Sequence, residues 1–173
     1  MNELTIYTDG ASRGNPGPAA AGYVLYGPGG EQLEARAFCI GRTTNNVAEY
    51  TALIKALQAA SRLGVDRLRL YSDSELLVRQ VNGKYKVKSQ LIRPLFEQVI
   101  GLLDGFAGWT LEHVPRQRNA VADTLVNEAL DKGGDVEGPC GTSAETHRRR
   151  PLRLGVLISG GGRTMMNILD CIR

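Results

Sequence analysis

The run Arg67-Leu68-Arg69-Leu70-Tyr71 alternates charged and apolar side chains, then breaks into Ser72-Asp73-Ser74. Period-two alternation marks a strand with one buried face, and the Ser-Asp-Ser break opens a helix that runs through Val81. Asn82-Gly83 ends it. On the other side of the strand, Asn46 to Leu63 carries Ala48, Ala52, Leu53, Ala56, Leu57 and Ala60 as one helical stripe, stopped by Gly64. A strand framed by two helices begins an alternating α/β layer arrangement.

Towards the N-terminus the pattern changes. Leu4-Thr5-Ile6-Tyr7-Thr8 alternates and runs into Asp9-Gly10, and a loop rich in Gly and Pro follows to Pro18. Ala21 to Tyr26 and Gln32 to Ile40 are strands separated by Gly27-Pro28-Gly29-Gly30, which predicts an antiparallel meander. Towards the C-terminus, Leu91 to Leu103 is expected as a helix, Trp109 to Val114 as a fifth strand, and Ala120 to Leu130 as a helix begun after Asn119. The order βββαβααβα implies an α/β fold with a mixed five-stranded sheet flanked by helices. Residues 1–132 are expected to form that domain, and 133–151, poor in apolar residues and carrying Arg148-Arg149-Arg150, a solvated linker. Residues 152–173 are an incomplete strand, Gly-rich loop and helix, too short to bury a core of their own.

The composition of the 173 residues, 42% hydrophobic and 23% charged, excludes a disordered chain and a disulfide framework. No apolar run approaches the roughly 18 residues of a membrane helix, and Met1-Asn2-Glu3-Leu4 lacks the basic-then-apolar pattern of a signal segment. A cytoplasmic location without membrane attachment is expected. Cys39, Cys140 and Cys171 are scattered, and His113 and His147 are the only histidines, so a structural zinc site is not expected. Through Lys132 there are 15 basic and 14 acidic residues, and 6 and 4 after it. Binding to nucleic acid must therefore come from local placement of charge.

Four acids stand where strands end or helices begin: Asp9, Glu49, Asp73 and Asp123. If the first and fourth strands are neighbours, Asp9 and Asp73 project side by side, and two helix starts bring Glu49 and Asp123 to them. Taken singly, each acid has a plainer account, since Asp and Glu are favoured in a helix's first turn and Asp near Gly is common in turns. Together in one cleft they repel one another unless cations intervene. Oxygen ligands without His or Cys suit Mg²⁺ or Mn²⁺, and two such ions about 4 Å apart can stabilise both the attacking and the leaving oxygen of a phosphodiester displacement.

The strings T-D-G-A-S-R-G-N-P-G-P from Thr8, T-N-N-V-A-E from Thr44, Y-S-D-S from Tyr71 and R-N-A-V-A-D-T-L from Arg118 decide between the two accounts. They resemble, in order, the four signature segments of the type 1 ribonuclease H family, over residues 1–132. The resemblance implies a ribonuclease H-like fold and hydrolysis of the RNA strand of an RNA/DNA hybrid to 5′-phosphate and 3′-hydroxyl ends; with no obligate protein partner evident, a monomer is expected. It implies that Asp9, Glu49, Asp73 and Asp123 hold two Mg²⁺ ions, with Mn²⁺ an alternative, and that Glu49 can accept a hydrogen bond from the ribose 2′-hydroxyl. Gly10, Ser12 and Asn15 in the Gly- and Pro-rich loop are expected to approach the minor groove. Asn45 and Asn46 suit base edges and sugar hydroxyls, although either could instead cap the helix. Arg42 and Thr44 match positions that in some family members grip a phosphate of the DNA strand.

Two departures from the family pattern stand out. Only Val81 to Gln90, with Lys84, Lys86 and Lys88, replaces a long basic insertion. These lysines fit either a basic face or a solvated extended edge. Arg116-Gln117-Arg118 stands where many members place a mobile His, so Arg116 and Arg118 are expected near phosphate, and His113 is expected as a packed strand residue. The last 22 residues are similar to the start of phosphoribosylglycinamide formyltransferase, without its catalytic part, and are expected to carry no function. The alternative reading of the whole is a catalytically weak nucleic-acid-binding module of the same fold.

Overall fold

The computed structural model describes residues 3–139. The expected tail over 152–173 and most of the expected linker lie outside them. The meander is β1 (Glu3–Ser12), β2 (Gly17–Tyr26) and β3 (Gln32–Thr43). It is followed by α1 (Asn45–Arg62), β4 (Arg67–Ser72), α2 (Glu75–Val81), α3 (Arg93–Leu103), β5 (Gly108–His113), a 3-10 turn (Arg116–Asn119), α4 (Ala120–Lys132) and β6 (Val136–Glu137). The sheet order is β5-β4-β1-β2-β3-β6. β4 pairs in parallel with both β1 and β5, and the register sets Thr8 against Ser72, so Asp73 emerges from β4 beside Asp9.

The sheet has two differently built faces. On one, Leu4, Ile6, Leu68 and Leu70 pack with the α1 stripe of Leu53, Ala56, Leu57 and Ala60, together with Leu77 of α2 and Val99 and Leu103 of α3. On the other, Ala20, Val24, Ala35 and Ala37 meet Ala122, Leu125, Val126 and Ala129 of α4. A fully buried Leu or Val contributes about 1.5–3 kcal/mol, so the first face, with most of the large side chains, contributes more. The second face fixes position through close approach: a Cβ on Gly22 would sit 2.8 Å from Val126 Cγ2.

Several elements exceed the sequence expectation. β1 continues through Asp9 to Ser12 because its backbone ladders with β2 as far as Ser12 opposite Ala19, and a ladder needs no side-chain bulk. Asp9 is thus inside the strand, not at its close, and the expected 12–18 loop shrinks to the residues between β1 and β2. The sheet has six strands instead of five. β6 pairs with Arg36 and Ala37 of β3, and Val136, only 7% exposed, joins the α4 core. The residues just after 132 therefore belong to the packed body, and the expected linker starts too early. His113 is exposed at the end of β5 instead of packed, and Lys84, Lys86 and Lys88 are exposed in an irregular segment outside the sheet. No helix among the described residues is long and apolar enough to cross a membrane.

Candidate active site

The site is assembled by a contact between two backbones. Where α1 crosses β1, a Cβ on Gly10 would lie 2.2 Å from the Glu49 nitrogen and 2.3 Å from the Ala48 carbonyl carbon. Only glycine permits this approach, and it sets Glu49 against Asp9. Thr44 caps α1, its Oγ1 accepting from the Val47 N–H at 3.4 Å, so neither Asn45 nor Asn46 is the cap. Helix α1 has no acid in its first turn, which places Glu49 beyond the position where dipole or capping would explain it. Asp123 does lie in the first turn of α4.

Asp9, Glu49 and Asp73 each bring a carboxylate oxygen within 4.8 Å of the other two. Asp9 is 4% and Glu49 6% exposed, and Asp9 Oδ2 and Glu49 Oε2 are buried without a hydrogen-bond partner. Burial, with the charges of Asp73 and Asp123 adding to it, pushes Asp9 up to about 7. Burial and then the Asp9 and Asp73 charges push Glu49 well above the usual carboxylate range, against the opposing hydrogen bonds from Asn45 and the Gly10 N–H. Asp123 is near enough for its charge to reach Asp9, but it stands outside the three-acid group. Arg116 donates from Nε, at 3.0 Å, and from Nη2 to Asp123 Oδ1.

Asn119, 1% exposed, escaped the sequence reading. Its Nδ2 donates to the Thr8 carbonyl at 2.9 Å and to Asp73 Oδ1 at 3.1 Å, which fixes the third acid against β1. The available signal was an Asn just before a helix, which reads as a cap; here it makes no side-chain cap bond.

The expected nucleic-acid contacts divide into two sets. The Ser12 N–H donates to Asn45 Oδ1 at 3.3 Å, the Asn45 N–H to Asn15 Oδ1 at 3.2 Å, and Asn45 Nδ2 to Glu49 Oε1 at 3.5 Å. Asn45 therefore ties the β1–β2 loop to an acid, and its amide is engaged within the protein. An ion pair between Arg13 and Asp131 holds the same loop to the end of α4. Asn46 and Arg42 are exposed nearby, Arg42 opposite Pro18. Arg118 does not join the acids; with Tyr7, Tyr26 and Val121 it lines a cavity of about 410 Å³.

Repelling carboxylates, two of them with an orphaned buried oxygen, and a donor set of oxygen alone fit a hard divalent cation. The family model described as Reverse transcriptase-like matches residues 7–129, which span all four acids. The chain belongs to the type 1 ribonuclease H family. Ribonuclease HI of Halobacterium salinarum is 48% identical over 125 residues, 72% of this chain and 63% of that protein. Its crystal structure superposes with a TM-score of 0.74, covering 76% of this chain and 99% of that one. LC11-RNase H1, solved in complex with an RNA/DNA hybrid, is 44% identical with a TM-score of 0.72, covering 75% and 98% of the two chains. A bifunctional protein of Mycobacterium tuberculosis is 42% identical over 130 residues, 75% of this chain and 36% of that protein. The chain thus spans less than two thirds of the curated relatives it matches first.

Proposed function

We propose that this ribonuclease H-family chain hydrolyses the RNA strand of RNA/DNA hybrids at the four-acid cleft, leaving 5′-phosphate and 3′-hydroxyl ends. The observation that carries the reading is the convergence of Asp9, Glu49 and Asp73 within 4.8 Å, with two buried oxygens unpaired. Asp9, Glu49 and Asp73 would hold one Mg²⁺ or Mn²⁺, and Asp9 with Asp123 a second. Bound there, the ions would offset the carboxylate charge and stabilise charge on the attacking and leaving oxygens of the scissile phosphate. Asn119 keeps Asp73 aimed into the cleft, and Asn45 keeps Glu49 facing the loop that carries Ser12 and Asn15.

Ser12, Asn15, Thr44, Asn45 and Asn46 would form the floor on which the minor groove rests, with Gly10 buried beneath it under α1 and Arg42, Arg116 and Arg118 toward phosphates. One chain supplies all four acids, so a monomer suffices. Scattered cysteines suit a reducing cytoplasm. The domain would extend beyond residue 132 to include at least Gly138, whose N–H donates to the Ala35 carbonyl. A binding module without catalysis has no use for a cleft in which burial and neighbouring acids push Asp9 and Glu49 above the usual carboxylate range.

The test is cleavage of a labelled hybrid with Mg²⁺ or Mn²⁺ by wild type, Asp9→Asn and Asp73→Asn. Loss of a residue that only orients a ligand costs 10–100-fold, so loss of the ligand itself should cost at least about a hundredfold. Hybrid affinity should stay within about threefold, because shape hardly changes. Turnover within tenfold of wild type in either variant overturns the assignment.

A further inference from the structure

Among the described residues, Arg116 is the one cation bonded to any of the four acids. It sits in the 3-10 turn that precedes α4, and its guanidinium places two nitrogens on the same oxygen, Asp123 Oδ1. The other three acids face one another without a bonded cation, Asp9 and Glu49 each keeping a buried oxygen unpaired, whereas Asp123 is bonded to a counter-charge. The cleft is therefore asymmetric: the Arg116 charge reaches Asp9 and Asp73 across space, but only the fourth acid is bonded to it. The Arg116 side chain is 69% exposed against 23% for Asp123, so the arginine can swing away without disturbing the core.

We propose that Arg116 is a latch on the fourth acid: it occupies Asp123 until a phosphate of the bound strand draws the guanidinium off, and only then does Asp123 become free to complete a second cation site. This positioning role rests on the reading of the four acids as a divalent-cation site. Guanidinium pairs with phosphate in the same two-point manner as with carboxylate, so one group can exchange between the two partners. Hybrid and second cation then favour one another's binding, and by linkage the effect is reciprocal. The plain alternative is a surface ion pair, worth about 0–1 kcal/mol and without influence on the cleft.

Calorimetric titration of the metal-free protein with Mn²⁺, in the absence of hybrid, separates the two. Wild type should take one ion at the three-acid group and a second much more weakly. Arg116→Ala should tighten the second step by about three- to fivefold and the first by clearly less, since the Arg116 charge touches Asp9 and Asp73 only across space. Arg116→Lys keeps the charge but loses the two-point bond, so it should tighten the second step by less; it also serves if the Ala variant fails to fold. In the Asp123→Asn background, the Arg116→Ala change should have no effect. A second step unchanged within twofold, or both steps tightened equally as a general field effect predicts, overturns the latch while the cation site stands. Absence of any Mn²⁺ binding overturns the proposed function and the latch together.

Discussion

Asp9 holds its proton far above the pH at which an unfolded aspartate loses it, about 7 against about 3.9. Between those values the folded, metal-free protein binds more protons than the unfolded chain. Stability therefore falls as pH rises through that window, and the loss is complete above about pH 7. Asp9→Asn removes this titration. In the presence of a chelator the variant should match wild type at pH 4 and melt about 4 °C or more above it at pH 8, equivalent to about 1 kcal/mol in a domain of this size. Glu49 moves in the same direction and reinforces the trend. Mg²⁺ should reverse the order, since only wild type gains the full binding energy. Thermal melts at both pH values check it, and an equal gain at pH 4 and pH 8 would show that ionisation of the buried Asp9 is not the cause.

At the scale of elements, the crossing of α1 over β1 sets the cleft. Gly10→Ala drives a methyl into backbone atoms of Ala48 and Glu49 that cannot rotate away, so the helix must lift. The expected cost is about 1–3 kcal/mol or more, with weaker Mn²⁺ binding because Glu49 moves off Asp9. Gly101→Ala in α3 is the control: a Cβ there meets nothing within 4 Å, and the helix should gain about 0.5–1 kcal/mol. Chemical denaturation of both variants gives the comparison; equal effects would remove the close approach as the explanation. The period-two runs around Ile6 and Leu70 and the alanine and leucine stripe of α1 were legible in the sequence, because each alternates or repeats over several residues. β1 beyond Asp9 was not, since Gly10, Ala11 and Ser12 have no strand pattern and are held by their partners in β2. The four acids were legible through linked motifs. The roles of Asn119 and Arg116 were not, because each depends on how a turn sets one side chain against a residue from elsewhere in space or chain.

Across the whole molecule, the chain just past α4 closes the sheet. Val136 is buried against α4, the Gly138 N–H donates to the Ala35 carbonyl at 2.8 Å, and the Cys39 N–H donates to Asp135 Oδ1 at 3.0 Å. Ending the chain after Gly133 removes all three and bares the outer edge of β3. Burial of one Val contributes about 1.5–3 kcal/mol and each hydrogen bond about 1, so the melting temperature should fall by several degrees and self-association should rise. Ending it after Pro139 should do neither. Melting curves and light scattering of the two truncations decide; identical behaviour would return the boundary to residue 132. The four acids stand at 9, 49, 73 and 123, with Asp9 on a strand flanked by an antiparallel neighbour from before α1 and a parallel one from after it. A chain emerging from the ribosome therefore carries three of its acids long before α4 arrives to cover the second face of the sheet. Domains fold as units, so the cleft comes into being only once α4 has been made, and a shorter nascent chain carries three of the acids without the assembled site.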